Sequence, residues 1–320
     1  MEAVASDLVS VVIPVYNAER YIEETLASVL AQTYPQVEII AVDDGSGDRS
    51  VEILRRYGER VRVFTQQNAG AAAARNRGVQ EARGKWIAFL DADDLWVPDK
   101  LEKQLALKDR FQWSYADCEF MGGVNDGCRD SDFTEKHQGW VIDKLVCGNF
   151  IGTSSLVIAR DVFLEFGGFC EAMSNIEDWE LWLRIAPHYE IGFIDEVLCR
   201  YRIHPTSVSR NTRNTLPSHL KVINWAFGDD GPARQWPELK SKAVSQSYSV
   251  CSGIAEEEGD LTFALRCAIS ACRFQPGEIQ LWVRSIKAAI KWCLAGVGVR
   301  FSMHAWWVGA IFVIEPALRS

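Results

Sequence analysis

The sequence predicts an α/β protein in which a mostly parallel sheet, covered by helices, is followed by a helical C-terminal region. Three observations carry this. Short β-rich runs alternate with helix-patterned segments from residue 8 to about residue 107. Two of those runs end in clusters of carboxylates, Asp43-Asp44 and Asp91-Ala92-Asp93-Asp94. Beyond His219 the strand pattern gives way to helical spacing. A chain of 320 residues, 48% of them hydrophobic, can bury one large core and a smaller one.

Taken in order, Leu8 to Val15 is an apolar first strand. Ala18 to Ala31 repeats Ile22, Leu26, Val29 and Leu30 at helical spacing. Val37 to Val42 is the second strand, and Asp48 and Ser50 are N-cap candidates for a helix through Tyr57. Val61 to Thr65 is the third strand, Ala71 to Ala82 a helix, and Trp86 to Leu90 the fourth strand. Past Trp113 the pattern is mixed, with a strand at Ser155 to Ala159, a helix at Asp178 to Ala186 and a strand at Ile191 to Tyr201. The polar stretch Thr206 to His219 reads as a linker, which divides the chain into residues 1–210 and 211–320. In the second part, Gly259, Ala264, Ala268, Ala271 and Pro276 fit one tetratricopeptide-like hairpin. A single unit lacks stacked neighbours, which favours an ordinary helical extension.

A net charge of −9 argues against a nucleic-acid partner, whose phosphates would need neutralising. The nine cysteines run from Cys118 to Cys293 without a CxxC pair or zinc-finger spacing, which points to reduced thiols and a cytoplasmic protein. Glu2 and Asp7 flank the start, and no basic segment precedes the Leu8 to Ile13 run, so a secretory signal is not expected.

The acidic strand ends carry the chemistry. Parallel strands bring Asp43-Asp44 and Asp91-Ala92-Asp93 to one carboxyl rim, where ligands of open α/β sheets bind. Carboxylate oxygens are hard ligands suited to Mg²⁺ or Mn²⁺, although a solvated loop capped by Asp94 is the plainer alternative. Arg75 could pair with phosphate or with a neighbouring carboxylate. Glu177-Asp178 opens a helix, where acids also serve as caps. His204 is a metal-ligand or phosphate-donor candidate, or a structural histidine.

The ordered set Pro14-Val15-Tyr16-Asn17, Val42-Asp43-Asp44-Gly45-Ser46, Asn68-Ala69-Gly70, Ala74-Arg75-Asn76-Arg77-Gly78 and Asp91-Ala92-Asp93-Asp94 resembles the family 2 glycosyltransferases. The likeness continues through Gly167-Gly168-Phe169, Glu177-Asp178-Trp179-Glu180-Leu181-Trp182-Leu183-Arg184 and Tyr201-Arg202-Ile203-His204. It implies the Rossmann-like GT-A fold, a mixed and mostly parallel sheet with helices on both faces. It also implies inverting transfer from a nucleoside-diphosphate sugar, UDP above all, to a hydroxyl of a glycan or lipid-linked acceptor in envelope polysaccharide synthesis. Carried over, it puts Pro14, Tyr16 and Asn17 at the nucleotide pocket, with Asp43 and Asp44 at the base or ribose and Asn68 in the adjoining loop. Arg75, Asp91 and Ala92 fall near the donor. Asp93 is the foremost ligand of a divalent cation, Mn²⁺ or Mg²⁺, joined by Asp91 and His204. Asp178 is the catalytic base, and Glu177 supports or orients the acceptor.

Other classes fit less well. A sugar nucleotidyltransferase needs a Gly-rich phosphate loop and a dinucleotide oxidoreductase needs GxGxxG, and neither follows strand one. A non-catalytic nucleotide-sugar-binding or scaffold protein is the remaining alternative. Phe301 to Ile314 is an uncharged run of 14 residues, short for a membrane span, and Arg284, Lys287 and Lys291 upstream share a helical face. A helix closing the C-terminal region is favoured over peripheral docking at the inner face of a membrane.

Overall fold

A computed structural model of the chain describes residues 7–173, 175–204 and 211–296. Their sheet has eight strands: β1 (Val9–Val15), β2 (Val37–Asp43), β3 (Arg62–Thr65), β4 (Trp86–Phe89), β5 (Leu95–Trp96), β6 (Trp113–Met121), β7 (Val157–Ala159) and β8 (Ile191–Arg202). Their spatial order is β3-β2-β1-β4-β7-β6-β8-β5. β1, β2, β3 and β4 are mutually parallel, β7 runs antiparallel between β4 and β6, and β8 returns parallel to β6. The result is the mixed, mostly parallel sheet that the sequence predicts.

β1 is almost wholly buried because both faces of a parallel sheet are covered, which is why it reads as a continuous apolar run. The crossovers are α1 (Ile22–Leu30), α2 (Ser50–Arg55) and α3 (Ala71–Glu81). α3 approaches the sheet closely: a Cβ on Gly78 would lie 2.3 Å from Val12 Cγ1, so no larger residue fits there. Register fixes the rim. Val15 pairs with Asp43, Asp43 with Thr65, and Val12 with Phe89, so the acids after β2 and β4 emerge on the same edge.

α4 (Lys100–Leu105), α5 (Ile142–Leu145), α6 (Arg160–Glu165) and α7 (Glu177–Ile185) complete this part. The nine-residue β6 is not expected from the sequence. Asp117 interrupts its apolar pattern, and the ladder to β8 shifts register on either side of that residue. Asp117 is fully buried but accepts from Arg129 Nε at 2.7 Å, Cys118 N at 2.9 Å and Ser131 N at 3.2 Å.

The chain forms two compact units, Met1–Ser207 with Asn224–Pro237, and Val208–Ile223 with Glu238–Ser320. The expected linker is corrected in part. Residues from Thr212 onward form α8 (Thr212–Ala226), whose polar composition conceals the buried Leu216, Val222 and Ile223. Three helices follow, α9 (Leu239–Glu257), α10 (Leu261–Phe274) and α11 (Ile279–Gly296). α9 and α10 make a hairpin turned at Gly259, where φ is +80°. Asp260 caps α10 by accepting from Phe263 N at 3.1 Å. Ala264, Ala268 and Ala271 are buried along it, and Ser252 and Ser245 donate to the Ala264 and Ala271 carbonyls, each at 2.9 Å.

The basic face of α11 is also corrected. Arg284 donates to Ser249 Oγ at 2.8 Å and Lys291 pairs with Glu256 at 2.5 Å, so both point at α9. Ile279, Trp282, Val283 and Ile286 form the exposed apolar stripe instead. Among the described residues no helix is long and apolar enough to cross a membrane. The Phe301 to Ile314 run lies outside them.

Candidate active site

The first group of candidates lines the exits of β1, β2 and β3. Pro14 is partly buried at the end of β1, and Tyr16 beyond it is 55% exposed. Asn17 takes a left-handed φ of +50°, donates its N–H to Ser46 Oγ at 2.9 Å and accepts from Gly47 N at 2.8 Å, so the first two loops are tied together. Arg49 holds the N-cap position of α2, and Asp48, two residues before Ser50, accepts from Ser50 N and from Glu19 N, each at 2.9 Å.

Asp43 and Asp44 are both buried. Asp43 accepts from Gly45 N at 3.3 Å and Ser46 N at 3.2 Å. Asp44 accepts from Gln66 Nε2 and Ala69 N at 2.9 Å and from Gly70 N at 2.8 Å. A carboxylate has about four acceptor sites, so Asp44 keeps little capacity for a ligand while it organises the loop that carries the exposed Asn68. Gly45 sits under that loop with φ +80°, where a Cβ would come within 3.1 Å of Asn68 N.

The second group converges on Arg75 of α3. This buried guanidinium pairs with Asp91 after β4 and with Glu177 at the start of α7, each at 2.6 Å, and lies over the Phe169 ring at 5.5 Å. The two carboxylates outweigh the cost of burial and hold the arginine more firmly protonated than usual. Asp91 N donates to Ser154 Oγ at 3.1 Å, and the buried Ala92 accepts from Thr25 through its carbonyl at 2.9 Å.

Asp93 Oδ2 lies 2.8 Å from His204 Nε2, and His204 stacks on Tyr21 with ring centroids 5.1 Å apart. Arg202 donates from Nε to the Asp93 carbonyl at 2.8 Å, pairs with Glu24 at 2.6 Å and lies over the Tyr21 ring at 4.8 Å. Asp94 is not a helix cap. It is fully buried and accepts from Arg202 N at 2.8 Å, joining the loop to the end of β8. Burial, followed by the charge of Asp91, raises the Asp93 carboxyl; burial with the charges of Asp93 and Asp91 pushes Asp94 well above the usual carboxylate range.

Asp178 is held on both oxygens. Oδ2 accepts from Asn149 Nδ2 at 3.1 Å and Thr153 Oγ1 at 3.0 Å, and Oδ1 accepts from Trp179 N at 2.7 Å. Burial and the neighbouring Glu177 push its carboxyl up to about 6, against the opposing pull of Arg75 and these donors. Ile176, just before the pair, adopts a left-handed φ of +54°, and Trp179 anchors the helix by donating to the Leu145 carbonyl at 2.8 Å. Asn149, Thr153, Ser154 and Tyr21 are absent from the sequence-derived set. Gly152-Thr153-Ser154-Ser155 shows a turn signature, but nothing in sequence ties it to Asp178.

The expected metal set assembles only in part. Among the described residues no three His, Cys, Asp or Glu side chains are grouped to hold a metal ion, and Asp91 directs Oδ1 to Arg75. Asp93 and His204 do converge, beside Asp94, whose carboxyl is raised by burial and by the charges of Asp93 and Asp91. Mg²⁺ and Mn²⁺ are commonly held by one or two protein groups with water and substrate phosphates, so this donor pair fits such an ion.

The profile of the family described as glycosyl transferase family 2 matches residues 10–130. The putative teichuronic acid biosynthesis glycosyltransferase TuaG of Bacillus subtilis is 35% identical over 212 residues, 64% of this chain and 82% of that protein. The UDP-Glc:alpha-D-GlcNAc-diphosphoundecaprenol beta-1,3-glucosyltransferase WfgD of Escherichia coli is 34% identical over 222 residues, 68% of this chain and 85% of that one. In fold, the mannosyltransferase PcManGT of Pyrobaculum calidifontis, solved with GDP-Man and Mn²⁺, superposes with a TM-score of 0.57 at 20% identity, covering 88% of this chain and 86% of its own.

Proposed function

The chain belongs to glycosyl transferase family 2, and from that premise we propose that it moves a hexosyl group from a UDP-sugar to an acceptor hydroxyl with inversion at the anomeric carbon. The observation that carries the reading is the Arg75 cluster, which fixes strand-end Asp91 and helix-start Glu177-Asp178 in one assembly. UDP and a lipid-linked envelope acceptor are supported by the donor and acceptor in the name of WfgD, and polysaccharide synthesis by that of TuaG. The transfer chemistry is assigned to residues 1–210, in the cytoplasm, where cysteines without disulfides are at home. Residues 211–320 are the accessory region, and the apolar stripe of α11 supports peripheral membrane contact near such an acceptor.

In this reading Asp178 is ionised at neutral pH and accepts the acceptor's hydroxyl proton as that oxygen attacks the anomeric carbon. The new C–O bond forms as the bond from the anomeric carbon to the diphosphate oxygen breaks on the opposite face. Glu177 orients the acceptor side, and Arg75 holds Glu177 and Asp91 so that the two anions do not repel each other apart. Tyr16, Asn17 and the loop set by Asp43, Asp44 and Asn68 hold the nucleotide. A Mn²⁺ or Mg²⁺ ion bound by Asp93 and His204 would supply positive charge to the departing diphosphate, a role supported by the Mn²⁺ in the PcManGT complex.

The experiment is a screen of UDP-sugars and GDP-mannose for thermal stabilisation and for nucleoside diphosphate release, with Mn²⁺ and with EDTA. Stabilisation and release that need the metal are expected with a UDP-sugar. Stabilisation without release from any donor, across glycan and lipid-diphosphate acceptors, would return the protein to the non-catalytic binding class.

A further inference from the structure

We propose that Thr153 and Asn149 are positioning residues that hold Asp178 in the orientation and charge state needed to take the acceptor's proton. This rests on the reading of Asp178 as the base. Two side-chain donors from one short segment meet on a single oxygen: Asn149 Nδ2 lies 3.1 Å and Thr153 Oγ1 3.0 Å from Asp178 Oδ2. Among the described residues the other oxygen, Oδ1, accepts only from Trp179 N at 2.7 Å. With about two acceptor sites on each carboxylate oxygen, Oδ2 is filled and Oδ1 retains one. Oδ1 is therefore the atom that receives the proton.

Both donors are themselves fixed. Asn149 Oδ1 accepts from Ile151 N at 3.1 Å, which sets the amide so that Nδ2 faces Asp178. Thr153 is buried in the tight turn before β7, where Ser155 N donates to Gly152 O at 3.0 Å and Leu156 N to Thr153 O at 3.1 Å. The following residues enter β7, which is buried between β4 and β6. A donor mounted on such a turn does not need to be ordered when the acceptor arrives. Donors to a carboxylate also favour its ionised form. The charged groups facing Asp178 are Glu177 on its own helix, which opposes ionisation, and Arg75 on α3, which favours it. Without the two donors, Glu177 and burial would act with less opposition, and the base would spend more of its time protonated.

The test is a ¹³C titration of the Asp178 carboxyl by NMR in the full chain, comparing wild type with Thr153→Val, Thr153→Ser and Asn149→Ala. Folding of each variant is checked by far-UV circular dichroism. The Asp178 midpoint is expected to rise by about one pH unit in Thr153→Val, to rise also in Asn149→Ala, and to return toward wild type in Thr153→Ser. A Thr153→Val protein that fails to fold leaves Asn149→Ala to decide by the same shift. Asp178→Asn is assayed in parallel for UDP release from UDP-glucose and UDP-N-acetylglucosamine with lipid-diphosphate acceptors. Unchanged midpoints in folded variants, with Asp178→Asn inactive, overturn the positioning role and leave the base in place. Wild-type turnover by Asp178→Asn overturns the base, and the positioning role with it.

Discussion

The acids after β2 and the acids gathered around Arg75 differ in what satisfies them. Asp43 and Asp44 accept from backbone amides, with Gln66 the only side-chain donor between them among the described residues. Those amides belong to the loops that the acids shape, so the negative charge there is built into the backbone. Asp91, Asp93 and Glu177 instead face the side chains of Arg75 and His204, and Asp178 faces Asn149 and Thr153 beside one backbone donor, Trp179 N. Backbone donors fix a loop once and for all, whereas side-chain donors leave a carboxylate that substrate, proton or cation can still engage. Under the function proposed above, the rim separates into a scaffolded nucleotide side and a poised reacting side.

The largest effect is expected at Asp178. Asp178→Asn should lower the rate of transfer by about 10²- to 10⁴-fold with donor affinity retained, measured by isothermal titration with the UDP-sugar and by product formation. If Asp178 is the base proposed above, its carboxylate is the reactive form, and the rate should hold above pH 6 and fall as pH drops through about 6, the value to which burial and Glu177 raise this carboxyl. A rate that kept rising below pH 6 would place Asp178 with the structural acids.

Next is Arg75. Arg75→Ala leaves two carboxylates facing each other, Glu177 with an 11% exposed side chain and Asp91 with 29%. Losing one partner of such a buried ion pair costs about 3–5 kcal/mol, to be read from urea unfolding, and Arg75→Lys should recover only part because it cannot span both acids with a fork. A loss below about 1 kcal/mol, the scale of an exposed pair, would erase the contrast between the two sides of the rim.

At Asp44 the expected change is smaller and local. Asp44→Ala strips the acceptor from Gln66, Ala69 and Gly70, which should cost about 2 kcal/mol. Faster hydrogen exchange at the Ala69 and Gly70 amides and weaker UDP binding should accompany it. Weaker UDP binding with unchanged exchange would instead mean that Asp44 touches the nucleotide directly.

Much of this was legible in the sequence because the first half of the chain is built of local rules. β1 to β4 read as apolar runs since a doubly covered parallel strand has no solvent face, and their order put Asp43 and Asp91 on one rim. β6 was not legible, because the buried Asp117 becomes tolerable through Arg129 and Ser131, twelve and fourteen residues on. α8 was hidden by polar residues that surround its few buried ones. In the same way Thr153 lies 25 residues from Asp178 and Arg75 lies 102 from Glu177. Contacts of that range depend on how the sheet folds back, and no periodicity records them. The ion pair that directs Asp91 Oδ1 to Arg75, 16 residues away, is likewise not recorded by any periodicity.

The smallest expected effect is a stability difference. The Asp178 carboxyl ionises near its ordinary value, 3.8, in the unfolded chain and near 6 in the folded one. The folded state therefore loses stability as pH rises through that window, because unfolding releases the charge into water. Asp178→Asn carries no charge to desolvate, so its Tm should exceed that of wild type by about 2 °C at pH 8, with the gain vanishing at pH values below the ordinary carboxylate range. Thermal melts at pH 3.5 and pH 8 measure it. Asp44 gives the opposite expectation, since its replacement removes an acceptor from backbone donors and should lower Tm at pH 8. A group that strains the fold in its working charge state and a group that the fold is built on respond with opposite signs to the same kind of substitution. Equal losses at both positions would show that Asp178 is held as scaffold, like the acids after β2.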